Sequence, residues 1–450
     1  MRTTDVVVKD VRFETEGFRY RTPIKFGGVS LDRVTLLHAT VTVESLGGQR
    51  ATGIGSMPMG NVWAFPSREL SYDQTLGAML SVAQRVASCY SKANIVGHPM
   101  EITWQLEKEL LRLGPDVTRE WKLADSIPPL ATLVAASPFD AALHDAYGKL
   151  HRLNVYHAYG KNFLENDLQR FLGPAFRGVR IDSYLTPEPV DSLPLYHLVG
   201  ALDPLARSDV AEPVGDGLPE TLEEWIAWNG LTHLKIKLNG DDLDWDVHRV
   251  LSVEAAADAA QRRRGVNEWH YSLDFNEKCR NEDYLLEFLA KLKAGSPPAF
   301  ERIAYIEQPT ARDLQANRHN VMHQASRQIP IVIDESLLDL ESLLLARDMG
   351  YNGAALKACK GQTQSILLAG AAGHLKMFLC VQDLTCPGAS LIQSAGLAAH
   401  VRGVTAIEAN ARQYCPQSNA TWSPRFPGIF EIRDGVMKTG QLTGWGLGAG

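Results

Sequence analysis

Charged residues recur in the second half of the chain at intervals of about one strand and one helix. They are Lys235, Lys237, Asp274, Glu307, Asp334, Lys357, Asp383 and Glu408. From Lys237 onward the intervals are 37, 33, 27, 23, 26 and 25 residues. Because successive units of this length place strand ends together, these side chains should meet at one end of a parallel sheet.

Three of these residues are acidic and would end neighbouring strands: Asp274, Glu307 and Asp334. Their carboxylates would repel one another unless a cation lay between them. Oxygen ligands without a nearby His or Cys favour Mg²⁺, with Mn²⁺ or Ca²⁺ as alternatives. One such carboxylate could equally cap the next helix or pair with a lysine. Three in register favour a metal site.

The lysines could move protons. Lys235 and Lys237 lie two positions apart, so a strand directs both ammonium groups to one face. Inside a barrel their repulsion should lower the pKa and allow one to act as a base, whereas on an exposed strand they would be ordinary lysines. Lys357 would lie across the barrel, as a second base or as a partner of the acidic residues. We interpret Lys360 as a loop lysine.

Two patterns predict the elements that position these residues. The first quarter predicts a strand over 38–44, a turn at Gly47-Gly48 and helices over 71–92, 100–114 and 138–151, which is an α+β arrangement. Short apolar segments then alternate with helices, and eight of them are candidate strands: Val179–Leu185, His233–Leu238, Tyr271–Phe275, Ile303–Ile306, Ile331–Ile333, Ala354–Leu356, Met377–Val381 and Val404–Ile407. Eight such units predict an α/β fold with a closed barrel. An open doubly wound sheet is the alternative, and residues 186–232 are interpreted as an insertion.

The composition excludes several classes of protein. The chain has 450 residues and a net charge of -7, which argues against a nucleic-acid-binding protein. No apolar run of 18 residues and no signal-like start is present, so we expect no membrane span and a cytoplasmic location. The six cysteines form no C-x-x-C pair and are interpreted as reduced, buried side chains.

The ordered motifs resemble the enolase superfamily, and within it the muconate-lactonizing-like branch of the mandelate racemase/muconate lactonizing enzyme family. The motifs that carry the resemblance are Lys235-Ile236-Lys237, Leu273-Asp274-Phe275-Asn276, Ile306-Glu307-Gln308-Pro309, Ile333-Asp334-Glu335-Ser336, Leu356-Lys357 and the segment 139–149. Any one motif is weakly specific, whereas the set in this order is specific.

The resemblance implies a modified TIM (β/α) barrel over 176–424, an N-terminal α+β capping domain over 1–175, and a tail over 425–450 that completes the capping domain. It also implies that Mg²⁺, or Mn²⁺ as an alternative, is held by the three carboxylates. Enzymes of that superfamily use a Lys or His base with one or two Mg²⁺ ions to stabilise an enediolate. Lys237 and Lys357 would be the acid/base pair, and Lys235 would assist catalysis and hold the substrate carboxylate.

The expected reaction is removal of a proton alpha to the carboxylate of a small molecule, by a homo-oligomeric racemase or epimerase. An acid-sugar dehydratase or a cycloisomerase would use the same residues. A Schiff-base aldolase with Lys357 as nucleophile and a non-catalytic binding protein also remain open. The strand ends and two capping loops, 24–29 and 55–65, should bind the substrate through Lys235, Asp383, Glu408, Phe26, Met57 and Trp63. Met57 and Trp63 could equally pack into the domain interface, because Met and aromatic side chains are often part of the core.

The sequence departs from two relatives within that superfamily. The seventh strand continues Val381-Gln382-Asp383 without a histidine, which excludes the Asp–His dyad of the mandelate racemase branch. The Asp-x-Asp of dipeptide epimerases is replaced by Glu408-Ala409-Asn410. Glu277 stands where a neutral residue is expected, and no feature of the sequence explains it.

Overall fold

The N-terminal part is built on an antiparallel sheet. A computed structural model describes residues 1–26 and 29–450, without the side chains of Lys25 and Phe26. The strands are β1 (Val6–Phe26), β2 (Val29–Ser45), β3 (Arg50–Pro58) and β4 (Val96–Gly97), in the order β3-β2-β1-β4. Buried and partly exposed residues alternate along the second half of β2, because one face of the sheet packs on helices. The predicted turn at Gly47-Gly48 joins β2 to β3, and Gly48 has a φ of 80°.

Helices cover this sheet. They are α1 (Asn61–Ala64), α2 (Tyr72–Lys92), α3 (Pro99–Trp121) and α4 (Pro129–His151). Ser71 and Gln74 form a capping box that starts α2 close to its predicted position. The other two predicted helices are too short. Their predicted boundaries fall at Pro115 and Pro138, and both prolines are accommodated inside the helices.

Eight parallel strands form the closed barrel that the sequence predicts. They are β5 (Leu193–Val199), β6 (His233–Lys237), β7 (His270–Asp274), β8 (Ile303–Glu307), β9 (Ile331–Ile333), β10 (Gly353–Leu356), β11 (Phe378–Val381) and β12 (Ile407–Glu408), and β12 pairs with β5 to close the barrel. The remaining helices are α5 (Leu168–Leu172), α6 (Leu222–Asn229), α7 (Leu243–Arg264), α8 (Glu282–Gly295), α9 (Pro297–Glu301), α10 (Leu340–Asp348), α11 (Gln362–His374), α12 (Ala389–His400), α13 (Ala411–Tyr414) and α14 (Pro427–Phe430). A last strand, β13 (Val436–Met437), pairs antiparallel with β5.

The first barrel strand is not where the sequence predicts it. The segment 179–185 contains a short 3₁₀ turn, Ile181–Ser183, and β5 lies inside the segment interpreted as an insertion. Pro194 makes β5 hard to recognise as a strand from the sequence, because proline is rare inside strands. Here it lies at the edge where β5 meets β13, near the start of the strand.

The barrel is filled below its mouth. Its interior cluster consists of Tyr196, Tyr305, Val332, Ala355, Cys380 and Ala406. Open space for chemistry is therefore confined to the ends of the strands. The tail reaches α4, where the backbone N–H of Leu447 donates to Asp145 at 3.0 Å. Division of the chain after residues 175 and 424 stays a prediction.

The described part of the chain holds six cysteines, all of them free thiols. Five are buried, and Cys89 is partly exposed. No helix within residues 1–26 and 29–450 has the length and apolar character needed to cross a membrane.

Candidate active site

The barrel places two lysines on opposite sides of its mouth. Lys237 ends β6 and Lys357 follows β10, which are the second and sixth of the eight strands. Asp274 and Glu307 end β7 and β8, and Asp334 follows β9. Lys237, Asp274 and Glu307 are direct neighbours in the strand register. The carboxylates therefore occupy the three strands between the two lysines.

Lys235 is buried in the mouth, where it is only 2% exposed. Its Nζ lies 2.7 Å from Glu307 Oε2, 2.8 Å from Glu408 Oε2 and 3.4 Å from Asp274 Oδ2. Burial alone would lower the pKa of Lys235, but these three carboxylates outweigh it and raise the pKa well above its usual value. The prediction that the pKa of Lys235 is lowered is wrong, because acidic oxygens contact its ammonium group.

Lys237 donates a hydrogen bond to Oδ2 of Asp274. The other oxygen, Oδ1, accepts from the backbone N–H of Asn276 at 2.9 Å. Burial opposes ionisation of Asp274, but the charges of Lys237 and Lys235 hold its pKa below the usual range. Asp274 is therefore an ionised carboxylate fixed on both oxygens.

Asp334 is held by two lysines. Lys357 Nζ lies 2.7 Å from Oδ2, and Lys360 Nζ lies 3.2 Å from Oδ1 and 2.5 Å from the backbone carbonyl oxygen of Asp334. Both lysines lower the pKa of Asp334 against the effect of burial. Our interpretation of Lys360 as a loop lysine is wrong, because the 3₁₀ turn Ala358–Lys360 directs its side chain inward and leaves it 2% exposed.

Two further carboxyl groups in the mouth carry raised pKa values. Burial and the charge of Asp274 raise the pKa of Glu307 to about 8, even with Lys235 adjacent. Burial and the charge of Glu408 raise the pKa of Asp383 to about 7. Gln382 donates to Oε2 of Glu307. Sequence reasoning missed Gln382 as a site residue, although its place at the end of the seventh strand was a signal.

The capping segment that contains α1 closes over this mouth. The indole N–H of Trp63 donates to Glu335 Oε1 at 2.9 Å, and Lys357 Nζ lies 4.7 Å from the centre of the Trp63 ring. Met57 is fully buried, with its sulfur 3.6 Å from the thiol of Cys386. The side chain of Phe26, another expected substrate contact, lies outside the described residues.

A partly buried ion pair joins this segment to the barrel. Arg312 donates to both carboxylate oxygens of Glu277, at 2.7 and 2.5 Å, and to the backbone carbonyl of Trp63 at 2.9 Å. This pair explains the charge of Glu277. Sequence reasoning missed Arg312 and the Trp63–Glu335 bond. The unexplained charge at position 277 was the available signal, because a carboxylate that is partly removed from water favours a cationic partner.

The second half of the chain matches a known protein family. Residues 217–449 match the family model described as enolase C-terminal domain-like. The chain belongs to this family. The predicted membership of the enolase superfamily is confirmed. The predicted branch within the superfamily stays a prediction. No curated protein matches the chain by sequence.

Solved structures share the whole fold at low identity. A muconate lactonizing enzyme from Pseudomonas fluorescens, complexed with muconolactone, has a TM-score of 0.61 and 16% identity over 99% of this chain and 96% of that chain. A dipeptide epimerase from Methylococcus capsulatus, complexed with Mg and L-Arg-D-Lys, has a TM-score of 0.59 and 18% identity over 98% of this chain and 99% of that chain. An enolase from Bradyrhizobium, complexed with magnesium and mandelic acid, has a TM-score of 0.60 and 15% identity over 99% of this chain and 97% of that chain. The predicted modified TIM barrel with a capping domain is confirmed.

The barrel mouth of this enolase-family protein is rich in acidic side chains. As the described side chains stand, no three His, Cys, Asp or Glu residues are arranged to hold a metal ion. Lysine ammonium groups occupy the places between the acidic oxygens instead. The donor set nevertheless suits a divalent cation, because the described strand ends bring six buried carboxyl groups together and Mg²⁺ prefers hard oxygen ligands of this kind. The carboxyl groups belong to Asp274, Glu307, Asp334, Glu335, Asp383 and Glu408.

Proposed function

We propose that this chain is an isomerase of the enolase superfamily, of racemase or epimerase type. It removes the proton alpha to the carboxylate of a small molecule and returns a proton to the opposite face. The observation that carries the proposal is the placement of Lys237 and Lys357 on the second and sixth of eight barrel strands. A substrate bound between them would present one face to each.

The three carboxylates between the lysines are proposed to hold Mg²⁺, with Mn²⁺ as an alternative. A proton beside a carboxylate is weakly acidic, because its removal leaves a dianion. A divalent cation at Asp274, Glu307 and Asp334 would stabilise that charge. It would also neutralise the acidic oxygens that raise the pKa of Lys235 and Lys357. The magnesium in the dipeptide epimerase and the Bradyrhizobium enolase supports this choice of metal.

Each lysine has a role that matches its contacts. Lys235, bound by Glu307 and Glu408, supplies a fixed positive charge for the substrate carboxylate. Lys237 and Lys357 exchange protons with the substrate carbon from opposite faces. Trp63 covers Lys357 and limits the access of water to it. Asp383 and Glu408 would contact the rest of the substrate.

The same side chains could serve a dehydratase or a cycloisomerase, and the two opposed lysines favour racemisation or epimerisation. A Schiff-base mechanism at Lys357 is disfavoured, because such a lysine works without a metal. It would leave the three carboxylates on the neighbouring strands without a role.

The test is proton exchange. Candidate carboxylic acids are incubated with the protein and MgCl₂ in D₂O, and NMR records deuterium at the carbon beside the carboxylate. The variants K237M and K357M should each abolish exchange from one face only. K108M, at an exposed lysine on α3, is the control and should exchange normally. Exchange from both faces that persists in K237M and also in K357M excludes the lysines from the mechanism.

Calorimetry with MgCl₂ complements that screen. Protein that binds no Mg²⁺ and exchanges no substrate proton would fit the alternative of a non-catalytic barrel that acts as a binding protein.

A further inference from the structure

Lys360 contacts Asp334 in a way that Lys357 does not. Its Nζ lies 2.5 Å from the backbone carbonyl oxygen of Asp334 as well as 3.2 Å from Oδ1. Lys357 contacts only a side-chain oxygen, Oδ2. We propose that Lys360 is a positioning residue that orients Asp334 for cation binding. This inference rests on the proposed function, in which Asp334 is a metal ligand.

The backbone of Asp334 is held on both sides. Its N–H donates to Oε1 of Gln308 at 3.0 Å, and its carbonyl oxygen accepts from Lys360 and from the backbone N–H of Leu337. A cation held by the carboxylate of Asp334 would have to compete with the lysines for its oxygens, whereas the contact of Lys360 with the backbone carbonyl does not involve the carboxylate. Lys360 can therefore keep the residue oriented after the cation has bound, as outer partners of metal ligands do.

The turn that carries Lys360 is anchored to the capping helix α4. Thr363, at the start of α11, donates its backbone N–H to Asp140 Oδ2 at 2.7 Å and its hydroxyl to Oδ1 at 2.8 Å. Asp140 also accepts from the hydroxyl of Thr103 at 2.7 Å. Gly361 lies between Lys360 and α11 with a φ of 105° and faces Asp140, where a Cβ would lie 3.2 Å from Oδ2. The position of Lys360 thus depends on a buried contact between the two parts of the molecule.

A positioning role for Lys360 and a purely electrostatic role predict opposite changes in Mg²⁺ affinity when Lys360 is removed. A lysine that acted only through its charge would repel Mg²⁺, so its removal would tighten Mg²⁺ binding. A lysine that orients a ligand would weaken Mg²⁺ binding when removed. K357M provides the matched comparison, because it removes the same charge from the same carboxylate without touching its backbone.

The experiment is calorimetric titration of the full-length protein with MgCl₂. K360M should bind Mg²⁺ about tenfold to hundredfold more weakly than the native protein, whereas K357M should bind it as tightly or more tightly. In D₂O, K360M should lower exchange on both faces of the substrate equally. Mg²⁺ binding by K360M that equals or exceeds native binding overturns the inference.

Two controls keep the test decisive. Urea unfolding establishes that each variant is folded, and K360Q, which keeps a buried amide, replaces K360M if that variant does not fold, with the same expected loss. Native protein that binds no Mg²⁺ overturns the proposed function and this inference together. Native protein that binds Mg²⁺, with an unaffected K360M, overturns only the role of Lys360.

Discussion

Lys357 donates a hydrogen bond to Oδ2 of Asp334 at 2.7 Å, from the end of the neighbouring barrel strand. Both residues are buried, so the ammonium group neutralises a carboxylate that burial would otherwise destabilise. A divalent cation would have to take the place of this ammonium group. The contact therefore joins the proposed base to the proposed metal site.

Mg²⁺ should stabilise the folded protein, since a ligand that binds only the native state raises the free energy of unfolding. At a concentration of one hundred times its dissociation constant, the increase should be about 2.7 kcal/mol. Urea unfolding in MgCl₂ or in EDTA, at matched ionic strength, measures it. D274N should show little of this increase at the same concentration. An equal increase in D274N would place the cation elsewhere.

Trp63→Phe should destabilise the protein by about 1–3 kcal/mol, because it removes the only hydrogen bond recorded to the carboxylate of Glu335 among the described residues. The ring over Lys357 is retained in this variant. Trp228→Phe, on a residue that is 64% exposed, is the control and should change stability little. Denaturant unfolding of the two variants makes the comparison. Equal losses would argue against a structural role for the Trp63–Glu335 bond.

Loss of Arg312 should be costly, because the partly buried Glu277 would lose its cationic partner. R312M should lower the free energy of unfolding by about 1–3 kcal/mol, and E277Q/R312M should lose less than R312M alone. The exposed pair of Arg433 and Glu431 gives a control, since R433M should cost at most about 1 kcal/mol. Urea unfolding at one pH covers all three variants. A double variant as unstable as R312M would contradict this explanation of Glu277.

Asp383 should make the protein less stable as the pH rises. Its folded pKa of about 7 lies above the ordinary value of 3.8, so the folded state holds this proton more tightly than the unfolded state. Its contribution to stability is present below about pH 4 and is lost as the pH rises to about 7. D383N lacks this titration, and its stability relative to the native protein should increase by up to about 4 kcal/mol between pH 4 and pH 8. Urea unfolding across that range measures the difference, and a constant difference would refute the assignment.

Gly55 allows β3 to approach α4. A Cβ at Gly55 would lie 2.0 Å from the backbone oxygen of Pro138, whereas a Cβ at Gly17 would meet no atom within 4 Å. G55A should therefore cost about 3 kcal/mol or more, since a backbone atom cannot move aside without separating strand from helix. G17A should stay within about 0.5 kcal/mol of the native stability. Thermal unfolding of G55A and G17A measures the difference in stability. Equal stabilities would contradict the close packing of β3 against α4.

The sequence by itself determined the order of the barrel strands from β6 to β12 and the identity of the charged residues at their ends. It could do so because both depend on local periods: strands alternate with helices, and each unit ends in a charged side chain. Strand β5 escaped prediction because its register is set by β6, β12 and β13, which are far away in the chain.

Only the tertiary structure decided how those charges pair. The inward turn of Lys360, the pairing of Glu277 with Arg312 and the closure of Trp63 over Lys357 join residues from different strands and from the capping part of the chain. The direction of the pKa shift of Lys235 depends on three carboxylates that folding brings within 3.4 Å of its ammonium group. Distances of this kind are fixed by packing across the barrel mouth, and residue spacing along the chain does not determine them.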